Sequence, residues 1–145
     1  MKWNKIINDK IFHSKKSLIQ VRDQLKQQQE KVVFTNGCFD ILHLGHIDYL
    51  SKAADLGKRL IIGVNTDESV SKIKGPNRHI IEEITRLTKL ASFAFVDGVI
   101  LFDDETPIEL IKSVRPDVLV KGGDYKINTI VGADFIYIIS ATMTF

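Results

Sequence analysis

Lys31-Val-Val-Phe-Thr-Asn-Gly-Cys-Phe-Asp-Ile-Leu-His-Leu-Gly-His46 decides how the rest of the chain is read. Its first residues, Lys31 to Thr35, are a short β-branched run and predict a strand. Asn36-Gly37 is a turn pair. Beyond His46, the residues Ile47, Leu50 and Ala54 fall on one face of a helix that ends at Gly57. The stretch therefore reads as strand, turn, helix.

Outward from it, the same alternation recurs. Arg59–Asn65 predicts a second buried strand, and Asp67 a cap for a short helix through Lys74. Gly75-Pro76-Asn77 marks a loop. Leu87, Leu90, Ala91 and Ala94 predict an amphipathic helix, followed by a strand over Val99–Phe102. Thr106-Pro107-Ile108-Glu109 has the capping-box pattern with proline at the first helical position, so a helix carrying Leu110, Ile111 and Val114 is expected. Pro116 stops it. Asp117–Lys121 is a fourth strand, closed by Gly122-Gly123, and Phe135–Ile139 a fifth. Upstream, Leu18, Val21 and Leu25 predict one more helix, capped by Ser14 or Ser17.

The predicted strands are continuous apolar runs rather than alternating ones. That pattern belongs to a parallel sheet covered by helices on both faces, an α/β, Rossmann-like architecture. The expected organisation is a helical extension over residues 1–30 and one domain over residues 31–145. In such sheets ligands sit at the carboxyl ends of the strands, near the point where strand order reverses.

Composition narrows the function classes. The chain has 145 residues and a net charge of +2, too mild a balance to argue for nucleic-acid binding. A single cysteine excludes an intramolecular disulfide framework. No apolar run approaches the ~20 residues of a membrane helix, and the first residues lack the apolar core of a secretory signal. A soluble cytoplasmic protein, acting on neither nucleic acid nor membrane, is the expectation.

Three polar, glycine-bearing segments follow predicted strands, and function is sought there. In the first, His43 and His46 lie three apart with Gly45 between them, where a helix begins. Imidazole N–H groups and the backbone N–H groups of a helix N-terminus make an anion site, aided by the helix dipole. Gly37 and Gly45 permit close approach of a phosphate. A zinc site is not expected, since no third ligand stands at a recognisable spacing from the histidines and Cys38. Cys38 reads as a small buried filler. Asp40 either caps the turn or orients a substrate group.

The segment Thr35-Asn-Gly-Cys-Phe-Asp-Ile-Leu-His-Leu-Gly-His46 resembles the HxGH signature of the cytidylyltransferase-like nucleotidyltransferases. Asn65-Thr-Asp-Glu-Ser-Val70, Lys74-Gly-Pro-Asn-Arg78 and Arg115-Pro-Asp-Val-Leu-Val-Lys-Gly-Gly-Asp-Tyr125 are similar to one branch of that family. Its members adenylylate D-glycero-β-D-manno-heptose 1-phosphate, giving ADP-heptose for lipopolysaccharide core. The Lys121–Tyr125 element favours this branch over the glycerol 3-phosphate cytidylyltransferases. The resemblance spans about residues 31 to 135.

The resemblance implies direct attack of a sugar phosphate oxygen on the α-phosphorus of ATP, with Mg²⁺ arriving on the triphosphate. It casts His43, His46 and Lys74 as catalytic groups. The cleft would be lined by Thr35, Asn36, Gly37, Cys38, Phe39, Asp40 and Gly45. Lys72, Arg78 and Arg86 would add positive charge. Asp67 would serve the nucleotide or only cap its helix, and Asp97 matches an acid of relatives or is a turn residue. Lys121, Gly122, Gly123 and Asp124 would meet base, ribose or sugar. Relatives are often dimers, so a homodimer is expected by analogy.

Two departures qualify the match. Relatives continue with a Ser-Thr-Thr segment at a helix start, whereas Ser140-Ala-Thr-Met-Thr-Phe145 does not align with it, so a short or divergent carboxyl end is expected. The loop Arg78-His79-Ile80 lacks the proline relatives carry after the arginine. Two alternatives stay open: a cytidylyltransferase for an alcohol phosphate, and a nucleotide-binding or assembly module without turnover.

Overall fold

The computed structural model describes residues 2–103, 107–122 and 137–141. In chain order the elements are α1 (Trp3–Asp9), β1 (Ile11–Phe12), α2 (Lys15–Gln27), β2 (Val32–Gly37), α3 (Leu44–Ala54), β3 (Arg59–Asn65), α4 (Asp67–Lys74), α5 (Glu83–Ala91), β4 (Gly98–Phe102), α6 (Ile108–Val114), β5 (Val118–Gly122) and β6 (Tyr137–Ala141). The strands form one six-stranded sheet in the order β1-β4-β3-β2-β5-β6, and every pairing is parallel.

Both faces of the sheet are buried, which explains the unbroken apolar strands. Along β2, Val33 points into a cluster with Leu50 and Ala53 of α3 and Leu87 and Leu90 of α5. Its neighbours Val32 and Phe34 point the other way, against Leu18 of α2 and Leu110, Ile111 and Val114 of α6. The period of two along a strand sends alternate side chains to opposite faces, and here each face has its own helical layer.

Gly63 shows how closely those layers approach. A Cβ there would lie 2.9 Å from both Leu110 Cδ2 and Phe34 Cζ. Gly63→Ala is therefore expected to overpack this contact and cost about 1–3 kcal/mol, read as a lower urea midpoint at unchanged slope.

Several local expectations change. Ser14, not Ser17, caps α2, its hydroxyl accepting the Ser17 N–H at 3.2 Å. Thr66, not Asp67, caps α4, accepting the Ser69 N–H. A threonine one residue earlier reaches the same orphan donors, and Asp67 is drawn elsewhere. Pro107 sits at the N-cap of α6 rather than its first turn, and Thr106 lies outside the described residues. Asp97 accepts the Leu60 N–H at 2.8 Å and pairs with Arg59, at the amino end of β3, as a turn residue does. The last strand begins at Tyr137, and Phe135 lies outside the described residues.

Two elements, α1 and β1, had no clear sequence signal. A two-residue strand such as β1 is too short for a period. Yet it pairs with β4 and adds an edge to the sheet. Leu18 of α2 is fully buried in the core, so residues before 31 contribute to the fold. Among the described residues, no helix is long and apolar enough to cross a membrane.

Candidate active site

From β2 the chain winds outward through β3 and β4, then returns to place β5 on the other side of β2. The order reverses between β2 and β5, and a cleft of about 520 Å³ opens at the carboxyl ends of those strands. Asn36 through Ile41, leaving β2, form one wall. His43, His46 and Tyr49 come from α3, Lys74 from the end of α4, Arg78 from the following loop, and Lys121 from β5.

The histidines are built into the start of α3. His43 is the N-cap and His46 the third helical residue. His43 Nδ1 accepts the Gly45 N–H at 3.1 Å, and His46 Nδ1 accepts the His43 N–H at 3.3 Å. This is a reciprocal capping box with imidazoles in both roles. Because each Nδ1 is an acceptor, the ring proton resides on Nε2 in both rings. The ring centroids lie 4.0 Å apart. Burial, then the neighbouring His43 and Lys74, hold the His46 pKa below its ordinary value, so the ring is neutral near pH 7.

One part of the expectation is corrected here. The backbone amides of the helix N-terminus do not all face a ligand. Gly45 N–H goes to a ring nitrogen, and His46 N–H goes to the His43 carbonyl at 3.0 Å. The two imidazole rings line the cleft in their place. Gly45 itself is buried.

Phe39 supports this arrangement from below. Its backbone is left-handed, φ 50°, which turns the chain sharply after β2. Its buried ring meets His46 edge-on at 5.7 Å between centroids. Gly37 lies against that ring, where a Cβ would come within 3.0 Å of Phe39 Cε2. Tyr49 completes the floor, its hydroxyl donating to the Val120 carbonyl at 3.2 Å and touching Thr35 Oγ1. Tyr49 was missed in the sequence, although its i+3 spacing from His46 puts both on one helix face.

Three cations enter the cleft. Lys74 and Lys121 line it, and burial pushes the Lys121 ammonium below its ordinary pKa. Arg78 Nε reaches Asp40 at 3.3 Å. Asp40 is buried and takes the N–H groups of Ile80 and Ile81 at 3.0 and 2.8 Å. It therefore pins the loop carrying Arg78. Burial acts to raise its pKa, but these donors outweigh it and hold the carboxyl below the ordinary range. Cys38 is only partly buried, at the cleft wall, rather than a filler of the core. Burial still raises its thiol pKa, despite Lys74 and Arg86, which argues against a nucleophilic thiolate.

Other expected residues are placed away from the cleft. Thr35 is fully buried on Tyr49. Lys72 pairs with Glu68 one turn back on α4. Arg86 is fully buried, and Asp67 is its partner at 2.8 Å. A guanidinium without solvent must spend its N–H groups on protein acceptors, and Arg86 spends its own on Cys38, Asn65, Ile81 and Asp67. Gly122 ends β5, paired with Ala141. Gly123 and Asp124 lie outside the described residues.

No three of His, Cys, Asp and Glu converge to hold a metal among the described residues. Asp40, the carboxylate at the cleft, is already committed to backbone N–H groups. These residues do not form a cage for an ion of their own.

A family model described as Cytidylyltransferase-like matches residues 34–139. The chain is 51% identical over 134 residues to the Bifunctional protein HldE of Campylobacter jejuni subsp. doylei, covering 92% of this chain and 28% of that one. It is 59% identical over 106 residues to the protein of the same name from Caulobacter vibrioides, covering 73% and 22%. The chain thus spans about a quarter of the length of the curated relatives it matches. A solved lipopolysaccharide core biosynthesis protein from Thermoplasma volcanium is similar at 29% identity and a TM-score of 0.63, covering 79% of this chain and 97% of that one. A pantoate-beta-alanine ligase from Francisella tularensis shares the fold, with a TM-score of 0.67 at 18% identity, covering 91% and 66%.

Proposed function

Because the chain belongs to the cytidylyltransferase-like family, we propose that it transfers an adenylyl group from ATP to D-glycero-β-D-manno-heptose 1-phosphate. An oxygen of the sugar phosphate attacks the α-phosphorus, forming a new P–O bond. The bond from the α-phosphorus to the bridging oxygen breaks, and pyrophosphate leaves with that oxygen. The attacking phosphate is already anionic, so no proton has to be removed. The protein's task is alignment and stabilisation of shifting charge.

The observation that carries this reading is the pair of Nε2–H donors, fixed in one tautomer by a helix cap and set beside Lys74, Lys121 and Arg78. Fixed donors and cations around one cleft suit a group whose negative charge moves from the α-phosphate toward a leaving pyrophosphate. Adenosine and heptose rest on the sequence resemblance, above all the Lys121–Tyr125 element, and the Thermoplasma volcanium relative supports a lipopolysaccharide role. Mg²⁺ enters as part of the MgATP substrate. The same reading places the reaction in the cytoplasm and the protein in a homodimer, which analytical ultracentrifugation checks.

The test is pyrophosphate release with each of the four nucleoside triphosphates and a panel of sugar and alcohol phosphates. Release with ATP and the heptose phosphate is expected. A preference for CTP and glycerol 3-phosphate would select a cytidylyltransferase instead. ATP binding without release would leave a binding module.

A further inference from the structure

Among the described residues, Arg86 stands first in volume among the fully buried side chains, at 0% exposure. Its guanidinium joins the segments that carry the cleft side chains. Nη1 donates to the carbonyls of Cys38 and Asn65, each at 2.7 Å. Nε donates to the Ile81 carbonyl at 2.8 Å, and Nη2 to Asp67 Oδ1 at 2.8 Å.

The placement of Nη1 is informative. The β2–β3 ladder ends with Gly37 opposite Val64. Cys38 follows the end of β2 and Asn65 is the last residue of β3; between them the Cys38 thiol donates to Asn65 Oδ1 at 3.7 Å. One guanidinium nitrogen bridges their two carbonyls and holds these strand ends at a set distance. On one side of that bridge, the chain continues to His43 and His46. On the other, Asp67 opens α4, whose far end is Lys74. Through Ile81, the same guanidinium holds the loop that carries Arg78.

We propose that Arg86 is a positioning residue for nucleotidyl transfer, setting the spacing between the histidine wall and the cationic wall of the cleft, and not a phosphate ligand. This rests on the function proposed above. Asp67 balances its charge inside the fold, so the guanidinium is held without help from substrate.

The test combines Arg86→Lys with His46→Ala and with Lys74→Ala in the full chain. It reads turnover, and separately ATP affinity by calorimetry. A lysine keeps the charge but not the fork that meets four acceptors. Arg86→Lys is expected to lower both turnover and ATP affinity by about tenfold or more, the size of coupling usual within a shared network. In that background, His46→Ala and Lys74→Ala are expected to lose most of their own effect, because the two walls no longer close on one anion. A purely structural role would change melting temperature and leave those effects intact. Additive losses, or wild-type turnover and ATP affinity in Arg86→Lys, overturn the proposal. Should Arg86→Lys not fold, Asp67→Ala takes its place, removing one arm of the network with the same non-additivity expected. If no substrate pair supports turnover, the proposed function fails, and the affinity measurements alone decide the role of Arg86. Absence of ATP binding in the unaltered chain overturns both.

Discussion

His46→Ala is expected to slow pyrophosphate release by about 10²–10³-fold, the usual cost of deleting one donor aimed at developing charge. The ring is neutral near pH 7, and its proton sits on Nε2 because Nδ1 accepts the His43 N–H. Alanine removes both the donor and that acceptor. The lost cap costs stability of about 1 kcal/mol, as other N-terminal caps do. His46→Gln separates the two effects. Glutamine at the third helical position can still accept the cap N–H, so stability should return while the rate remains depressed. A rate for His46→Ala within threefold of the unaltered chain would remove His46 from the chemistry.

The same ring carries a pH dependence with a definite sign. Its native pKa lies below 6.5, the ordinary histidine value. As pH falls from that ordinary value toward the native one, the unfolded chain binds the proton first, and stability falls with pH. Below the native value Nδ1 is protonated and no longer accepts the His43 N–H. Turnover should fall on the same acid limb, and His46→Gln should flatten it.

Asp40→Ala is expected to lower stability by about 2–4 kcal/mol, since two backbone N–H groups lose their buried acceptor. The loop from Arg78 to Ile81 loses its anchor, so KM for ATP should rise along with the loss of stability. Urea titration reads the first effect and initial rates the second. The carboxyl pKa is depressed in the fold. Its contribution is therefore fully present above the ordinary carboxylate pKa and is lost as pH falls through the native one. Asp40→Asn, which keeps an acceptor without the charge, should show a flatter acid limb. Unchanged stability in Asp40→Ala would mean that the loop is held by other contacts.

Neighbouring residues show where sequence reading stops. Lys72 and Lys74 are two apart on one short helix, and their charge and context look alike in the sequence. Positions i and i+2 point to different sides of a helix. The docking of α4 gives Lys74 to the cleft and leaves Lys72 paired with Glu68. Thr35 and Asn36 are similarly adjacent on β2, yet Thr35 is buried against Tyr49 while Asn36 lines the cleft. Arg86 looked like one more cation for phosphate. Its burial depends on the meeting of β2, β3 and the loop before α5, segments far apart in the chain.

What the sequence determined by itself was the alternation of apolar runs with amphipathic stretches, and the place of two histidines at a helix start. These are local properties, set by side-chain period, turn pairs and caps within a few residues of one another. The tertiary structure decided which lysine enters the cleft, and that Arg86 ties its walls together. Those outcomes depend on which groups lose water and which acceptors they then meet, and that follows only from how distant segments pack.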